Sequence, residues 1–270
     1  MTVARATAQA WPTGRLAPTL ADACGRWNDR PAMTFGATTL TYGDLGRRTA
    51  RLAAAYRHLG IGPGDRVLCQ LPNSPEHLIA LNAAWAVGAI HVGTDNDVTG
   101  RELGWLAHHT GAAALVYAPH PSAPDPWAPV RGVRAAHPST RIVAAGSPAG
   151  AAADPSDRDA PDASLADLLG GEDALEDWAP PHAADETAHL LLTSGTTGTP
   201  KAVRETLPAC WAKMQFFADA FRPGPQDVHL LYLPVSHVFG MRLAMLALLS
   251  GGRLVLAERF TAADALRVIA

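Results

Sequence analysis

The densest chemistry in the chain lies where the apolar run Leu190, Leu191, Leu192 passes into Thr193-Ser-Gly-Thr-Thr-Gly-Thr-Pro-Lys201. Gly195 and Gly198 carry no Cβ and take positive φ freely, so the backbone N–H groups around them can turn towards an anion. Thr193, Ser194, Thr196 and Thr197 add hydroxyl groups, and Lys201 adds a mobile positive charge. That combination suits a polyphosphate. It is not a Walker A loop, because Gly-Lys-Ser/Thr is missing and no helix is expected at the lysine. A flexible Ser/Thr/Gly linker is the plain alternative, but linkers are not normally preceded by an apolar strand or closed by Pro-Lys.

A second candidate is His237, in Leu233-Pro-Val-Ser-His-Val-Phe-Gly240. Taken alone it also reads as a histidine at a helix N-terminus that packs or caps. His77 and the pair His108-His109 fall on helical segments with no second ligand four residues on, so no metal site is expected there. Trp85, Trp105 and Trp211 read as core.

The elements that must position these residues follow from periodicity. Residues 16–27 fit a short amphipathic helix, and residues 33–35 and 39–41 a small hairpin around Gly36-Ala37. Thr41 and Asp44 have the spacing of a capping box for a helix that Gly60 ends. Strands are expected at 67–71, 90–93 and 113–117, with helices at about 72–88 and 99–109 between them. From 119 to 185 the chain is dominated by Ala, Pro, Asp, Gly and Ser, and reads mostly as a surface loop or linker. One strand at 141–145 and a helical turn at 165–169 stand inside it. Beyond it come a strand at 188–192, a helix from about 206 to 221, a strand at 228–233, a helix at 237–249, a strand at 253–256 and a helix from 262. Close alternation of strand and helix predicts an α/β fold of stacked layers, mostly parallel sheet with covering helices. The expected division is 1–118, a loop at 119–185, and 186–270 with the phosphate loop.

Composition sets the outer bounds. The chain has 270 residues, 48% apolar and 17% charged, with a net charge of −3. That balance excludes a polybasic nucleic-acid protein and wholesale disorder. No apolar run approaches the roughly 18 residues that a bilayer span needs, and no secretory h-region is visible. Cys24, Cys69 and Cys210 lie far apart without a C-x-x-C, which predicts free thiols and a cytoplasmic location. A dinucleotide-binding oxidoreductase fits the alternation but lacks G-x-G-x-x-G after a strand.

Residues 193–201 resemble the phosphate loop of the adenylate-forming superfamily, which includes acyl- and aryl-CoA ligases. Other segments agree with it in order: Thr41-Tyr-Gly-Asp-Leu45, Gly60-Ile-Gly-Pro-Gly-Asp-Arg-Val67, Leu71-Pro-Asn-Ser74, Ala83-Ala-Trp-Ala-Val-Gly-Ala89 and the His237 segment. The resemblance implies activation of a carboxylic acid by ATP as an acyl-adenylate, then transfer to coenzyme A or a phosphopantetheine carrier thiol. It implies that Thr193, Ser194, Gly195, Thr196, Thr197, Gly198 and Lys201 hold the phosphates. Mg2+ shares their charge, with Thr196 as its protein ligand. His237 would be a wall between nucleotide, acyl group and thiol. Pro-Val-Ser-His237 is closer to acyl- and aryl-CoA ligases than to amino-acid-activating members, which favours a fatty or aromatic acid.

Three departures from the family pattern shape further expectations. Ala202 stands where members normally have Gly, so its methyl group is expected to obstruct a backbone needing positive φ. His91-Val-Gly-Thr-Asp-Asn-Asp97 replaces Pro-Leu-Asn-Pro and is expected to alter a surface connection more than a site. The chain is also about half the length of a complete member, so it is expected to be inactive or nearly so alone. An open sheet edge and exposed apolar surface should accompany that, covered by a complementing half, a complete ligase or self-association. A truncated homologue acting as a binding or interaction module is the alternative reading.

Overall fold

The structure, a computed structural model, describes residues 16–120, 123–146, 160–171, 187–193, 201–257 and 260–269. Helix α1 (Leu16–Arg26) leads into a hairpin of β1 (Pro31–Phe35) and β2 (Thr38–Thr41). A strict alternation follows: α2 (Tyr42–His58), β3 (Arg66–Gln70), α3 (Pro75–Ala86), β4 (Ile90–Thr94), α4 (Gly100–Thr110) and β5 (Ala112–Tyr117). The Thr41 side chain accepts from the Asp44 N–H while the Asp44 carboxylate accepts from the Thr41 N–H, closing the expected capping box. Thr99 and Glu102 close a second one on α4. Each cap contributes about 1 kcal/mol by satisfying amides that the first turn leaves orphaned.

The Ala/Pro-rich middle holds more structure than its composition predicts. Helix α5 (Ala128–Ala136) forms there, followed by β6 (Arg141–Ala144), β7 (Ala163–Ser164) and α6 (Leu165–Gly170). Of these, the sequence predicted β6 and α6 but read α5 as loop. Its apolar signal is short, since only Val130 and Val133 are buried, and the rest of the helix is Ala, Gly, Pro and Arg. What decides it is contact. Gly100 and Gly104 of α4 face Gly132 of α5 so closely that the helix backbones touch.

The last third comprises β8 (Thr187–Thr193), β9 (Lys201–Thr206), α7 (Leu207–Phe221), β10 (Val228–Leu231), α8 (Val238–Leu249), β11 (Arg253–Leu256) and α9 (Ala262–Ile269). Strand β9 is a second correction, because residues 201–205 were expected to continue a loop into α7.

Two sheets result, ordered β10-β11-β1-β2 and β7-β6-β5-β3-β4-β8-β9. Pairing is parallel except in the β1–β2 and β8–β9 hairpins. Helices α1, α2, α3 and α8 share one apolar core with inward residues of both sheets, such as Met33 and Leu254 from one and Val67 and Val116 from the other. Helices α4 and α5 cover the opposite face of the larger sheet over Leu68, Leu115 and Ile142. Nearly every residue of α3 is buried, which is why it reads apolar all round. The Tyr42 hydroxyl donates to the Gly252 carbonyl at 2.7 Å, tying the start of α2 to the end of α8. Strands β9 and β10 lie at sheet edges, and α9 leaves Leu266, Val268 and Ile269 exposed.

The α4–α5 contact sets an expected outcome. A Cβ at Gly132 would collide with backbone atoms of Gly100, which cannot swing aside as a side chain can. Gly132→Ala should lose about 1–3 kcal/mol in denaturant unfolding, the usual range for overpacking. Gly25→Ala, on an exposed position of α1 with open space beside it, should instead gain roughly 0.5–1 kcal/mol. Equal effects from the two would refute the close-packing account.

Candidate functional site

The hairpin of β8 and β9 presents the loop residues. Their register runs from Thr187 opposite Thr206 to Thr193 opposite Lys201, so Thr193 and Lys201 face each other at its mouth, the end where the connecting segment leaves and returns. Both are exposed, and the Thr193 hydroxyl lies 3.5 Å from the Lys201 carbonyl. Ser194, Gly195, Thr196, Thr197 and Gly198 lie outside the described residues. Because β8 pairs in parallel with β4, this mouth lies at the carboxyl edge of the larger sheet, where open α/β sheets bind ligands. Ala202 sits in extended backbone opposite Leu192, and among the described residues only Arg222 is a non-glycine with positive φ. The expected obstruction at Ala202 is therefore absent.

Behind the mouth lies a junction that the sequence reading missed. Glu205 ends the buried face of β9, and three cationic or protonatable groups converge on its carboxylate. His189 Nε2 of β8 is 3.1 Å away and Lys213 Nζ of α7 is 2.6 Å away, while the Arg242 guanidinium of α8 contacts the same oxygen as Lys213. Burial pushes the Glu205 carboxyl up, but the adjacent His189 imidazole, the hydrogen bond from Lys213 and the charge of Arg242 outweigh it and hold it at about 2. Cys210 lies alongside, its ligand atom within 4.8 Å of those of His189 and Glu205. Burial drives the Cys210 thiol up to about 12, so it stays protonated. A carboxylate already matched by Lys213 and Arg242, beside a neutral thiol, is an ion network and offers a further cation little.

Two more buried histidines continue from this junction. His91 of β4 and His77 of α3 have ring centroids 5.6 Å apart, and His189 lies 5.2 Å from the Trp85 ring. The His77 Nδ1–H donates to the Leu71 carbonyl at 3.1 Å. Burial lowers all three imidazoles, His77 to about 4, and holds them neutral.

His237 is different. It is the N-cap residue of α8, yet its side chain makes no capping bond. Its Nε2 lies 3.2 Å from Asp95 Oδ1, which also accepts from the Ser236 hydroxyl at 3.0 Å. Asp95 follows β4, the neighbour of β8, so the pair stands beside the hairpin mouth. Asn73 supports it from below: its amide N–H donates to the Leu233 carbonyl at 2.9 Å and its oxygen accepts from the Val235 N–H at 2.8 Å. A Cβ at Gly93 would lie 2.8 Å from the Ser236 carbonyl oxygen, so only glycine lets this segment lie against β4. Residues 91–97 were expected to alter a surface connection. Instead His91 is buried, Gly93 seats the His237 segment and Asp95 holds the imidazole. Nothing in local composition signals this, because the partners are separated by about 140 positions.

The AMP-binding enzyme model matches residues 20–270. The chain belongs to that family. Among family members, it is 34% identical over 235 residues to the salicyl-AMP ligase / salicyl-S-ArCP synthetase of Mycobacterium tuberculosis, covering 85% of this chain and 40% of that protein. With the 2-hydroxy-7-methoxy-5-methyl-1-naphthoate–CoA ligase of Streptomyces carzinostaticus it shares 31% over 256 residues, 91% of this chain and 44% of the relative. The apo structure of Mycobacterium smegmatis MbtA superposes with a TM-score of 0.80 at 29% identity, over 97% of this chain and 47% of that one. The chain thus spans less than half the length of these family members. Among the described residues, no helix is long and apolar enough to cross a membrane.

The Glu205 junction yields two expected outcomes. Glu205→Ala strips the counter-charge from Arg242 and the partner from His189, and breaking such a buried pair costs about 3–5 kcal/mol. Urea unfolding measures it, and a loss under 1 kcal/mol would show that the network contributes little. The second outcome concerns pH. His77, His91, His189 and Glu205 all have folded-state pKa values below their ordinary ones, so the unfolded chain binds more protons. Stability is then full above about pH 6.5 and falls first as the histidines of the unfolded state charge. Glu205 adds its loss between 4.5 and about 2. In His77→Gln the slope of stability against pH near 5.5 should drop by up to about 1.4 kcal/mol per pH unit. An unchanged slope would mean that His77 charges freely in the folded state.

Proposed function

We propose that this chain carries the phosphate-handling part of an enzyme that activates a carboxylic acid with ATP. A carboxylate oxygen attacks the α-phosphorus, the bond from that phosphorus to the oxygen bridging it to the β-phosphate breaks, and pyrophosphate leaves. The acyl-adenylate then passes its acyl group to the thiol of coenzyme A or of a phosphopantetheine arm on a carrier protein, releasing AMP. The observation that carries this reading is the pairing of Thr193 with Lys201 at the hairpin mouth, on the carboxyl edge of the sheet. In this reading Lys201, the hydroxyls of Thr193, Ser194, Thr196 and Thr197, and amides around Gly195 and Gly198 hold the β- and γ-phosphates. Positioning and charge stabilisation do most of the work in such a transfer. The hydroxyl donor set suits Mg2+, a hard cation that takes oxygen ligands from phosphate and water, with Thr196 as the protein ligand. His237, backed by Asp95, borders the acyl and thiol side.

The names of the relatives favour an aromatic acid as substrate, and fatty acids remain within the class. We place the groups that bind adenine and ribose outside these residues, so turnover needs a longer protein or a complementing chain. The exposed apolar side chains Phe216, Phe221, Leu266 and Ile269 support a covering partner. They also favour, as a second reading, a non-catalytic member that docks on a complete ligase.

Calorimetric titration of Mg-ATP into the 270-residue chain tests the phosphate site without a guess at the acid. Saturable binding is expected, weakened about 10- to 100-fold in Lys201→Ala, the equivalent of losing a charge-assisted hydrogen bond. No binding by the wild type, or binding indifferent to Lys201, would move the docking reading ahead.

A further inference from the structure

The edge of the larger sheet opposite the phosphate loop carries a cluster of its own. Helices α4 and α5 run side by side in the same direction, with Gly100 and Gly104 against Gly132. Their carboxyl ends therefore come together, where α4 leads into β5 and α5 into its parallel neighbour β6. The last turn of α4 contains His108 and His109, and His137 is the C-cap residue of α5. The His109 ring is stacked on Trp105 at 4.5 Å. His108 is exposed, and its ring lies 6.2 Å from that of His137, centre to centre, with the planes inclined at 62°.

The hydrogen bonds behind His137 decide which nitrogen it offers. Thr140 is buried, and its hydroxyl donates to the Ala112 carbonyl at 2.9 Å. A hydroxyl has one proton, so towards His137 Nδ1, 3.0 Å away, Thr140 can only accept. Nδ1 therefore carries the ring proton, and Nε2 is left with a lone pair. The Ser139 hydroxyl, 3.2 Å from Nδ1, adds to the hold. An imidazole N–H held from behind by oxygen, with a bare nitrogen in front, is the usual setting of a metal-binding histidine. Spacing along α4 offers His108 no second ligand, but α5 brings one to it across the helix pair.

Size and charge at this point also suit a cation. An ion about 2.1 Å from one nitrogen of each ring sits roughly 3 Å from each ring centre, so rings about 6 Å apart can share it. Helix carboxyl ends carry partial negative charge that attracts cations. At α4 Arg66 answers that charge by donating to the Thr110 and Gly111 carbonyls, and at α5 His137 itself stands in that place. The nearby Arg134 guanidinium is turned to the Ala160 carbonyl and to Asp162.

We propose that His108 and His137 form a binding site for a divalent transition-metal ion of the zinc or copper class, with water completing its coordination. Imidazole nitrogen suits such ions, whereas Mg2+ prefers oxygen. The ion clamps the carboxyl end of α4 to that of α5. This inference does not depend on the adenylation reading, because it invokes neither nucleotide nor phosphate loop.

The test is a calorimetric titration of Zn2+ into the untagged 270-residue chain in the presence of excess Mg2+. One saturable site is expected, and Zn2+ should raise the midpoint of thermal unfolding, as any ligand of the folded state does. His108→Gln and His137→Gln should each weaken binding at least about 10-fold, the smaller end of what losing even a supporting partner of a metal ligand costs. Each should also reduce the thermal shift. His108 is exposed, so its replacement leaves the fold in place, and thermal unfolding without metal checks both variants. Cys210→Ser should bind Zn2+ as the wild type does. The proposal is overturned if no site saturates, or if either histidine can be replaced without loss of affinity. It is also overturned if Cys210→Ser abolishes binding, because the ion would then sit among His189, Glu205 and Cys210.

Discussion

Glu205 places a negative charge where solvent does not reach, and much of the last third of the chain is arranged to match it. An unpaired carboxylate in that position would not stay ionised, or the strand would not stay buried. The three partners come from three different elements, β8, α7 and α8, so the charge can be satisfied only when all three pack against β9 together. That requirement ties the β8–β9 hairpin to the helix whose first residues follow His237. The ends of β8 and β9 and the imidazole of His237 belong to separate elements, and this junction links those elements. Buried ion networks add little net stability over apolar packing, but breaking one is costly, so they act chiefly as constraints on arrangement.

A second constraint lies at the other support of the same segment. The turn of Leu71, Pro72, Asn73 and Ser74 leaves β3 at the carboxyl edge and faces two ways. Asn73 clamps Leu233 and Val235 with both ends of its amide, whereas Leu71, Pro72 and Ser74 line a cavity that also reaches Ala118 and Pro119 beyond β5. Pro75 at the start of α3 and the His77 bond to the Leu71 carbonyl leave the turn little freedom. The carboxyl edge is thus built as a row, from the cavity at β5 and β3, through His237 and Asp95 at β4, to the hairpin mouth at β8. Parallel strands make such a row possible because every strand points the same way and every connection returns behind the sheet.

How legible this was depends on whether the signal is local. Elements with a strong period and chemical punctuation could be read directly: α2 with its capping box at Thr41 and Asp44, α4 after Thr99, β8 before the loop. Helix α5 could not, because two valines carry its period and backbone contact at Gly132 carries its packing. Strand β9 was hidden for the opposite reason. Lys201 and Arg204 suggest solvent, and only the register with β8 shows that Glu205 points inward. The loop and His237 were legible as a long motif with its order preserved. Asn73 was legible only as part of the separate Leu71-Pro-Asn-Ser74 resemblance, and the use of Asp95 and Glu205 was not. Their work is done across separations that no local pattern reports.

The histidines show how far residue type alone misleads. His77, His91 and His189 lie close to one another and to ionisable neighbours, which in a list of residues would suggest acid–base chemistry. In place, each is out of reach of water, and burial holds its ring neutral at any pH near 7. A group that cannot exchange protons with solvent or substrate is a packing element with a hydrogen-bonding handle. His237 has the opposite setting: it is exposed, fixed by Asn73 below and by Asp95 at Nε2, and left with Nδ1 free of any bond among the described residues. A histidine can serve an adjoining ligand only where it is both held and reachable, and of these four His237 alone meets both conditions.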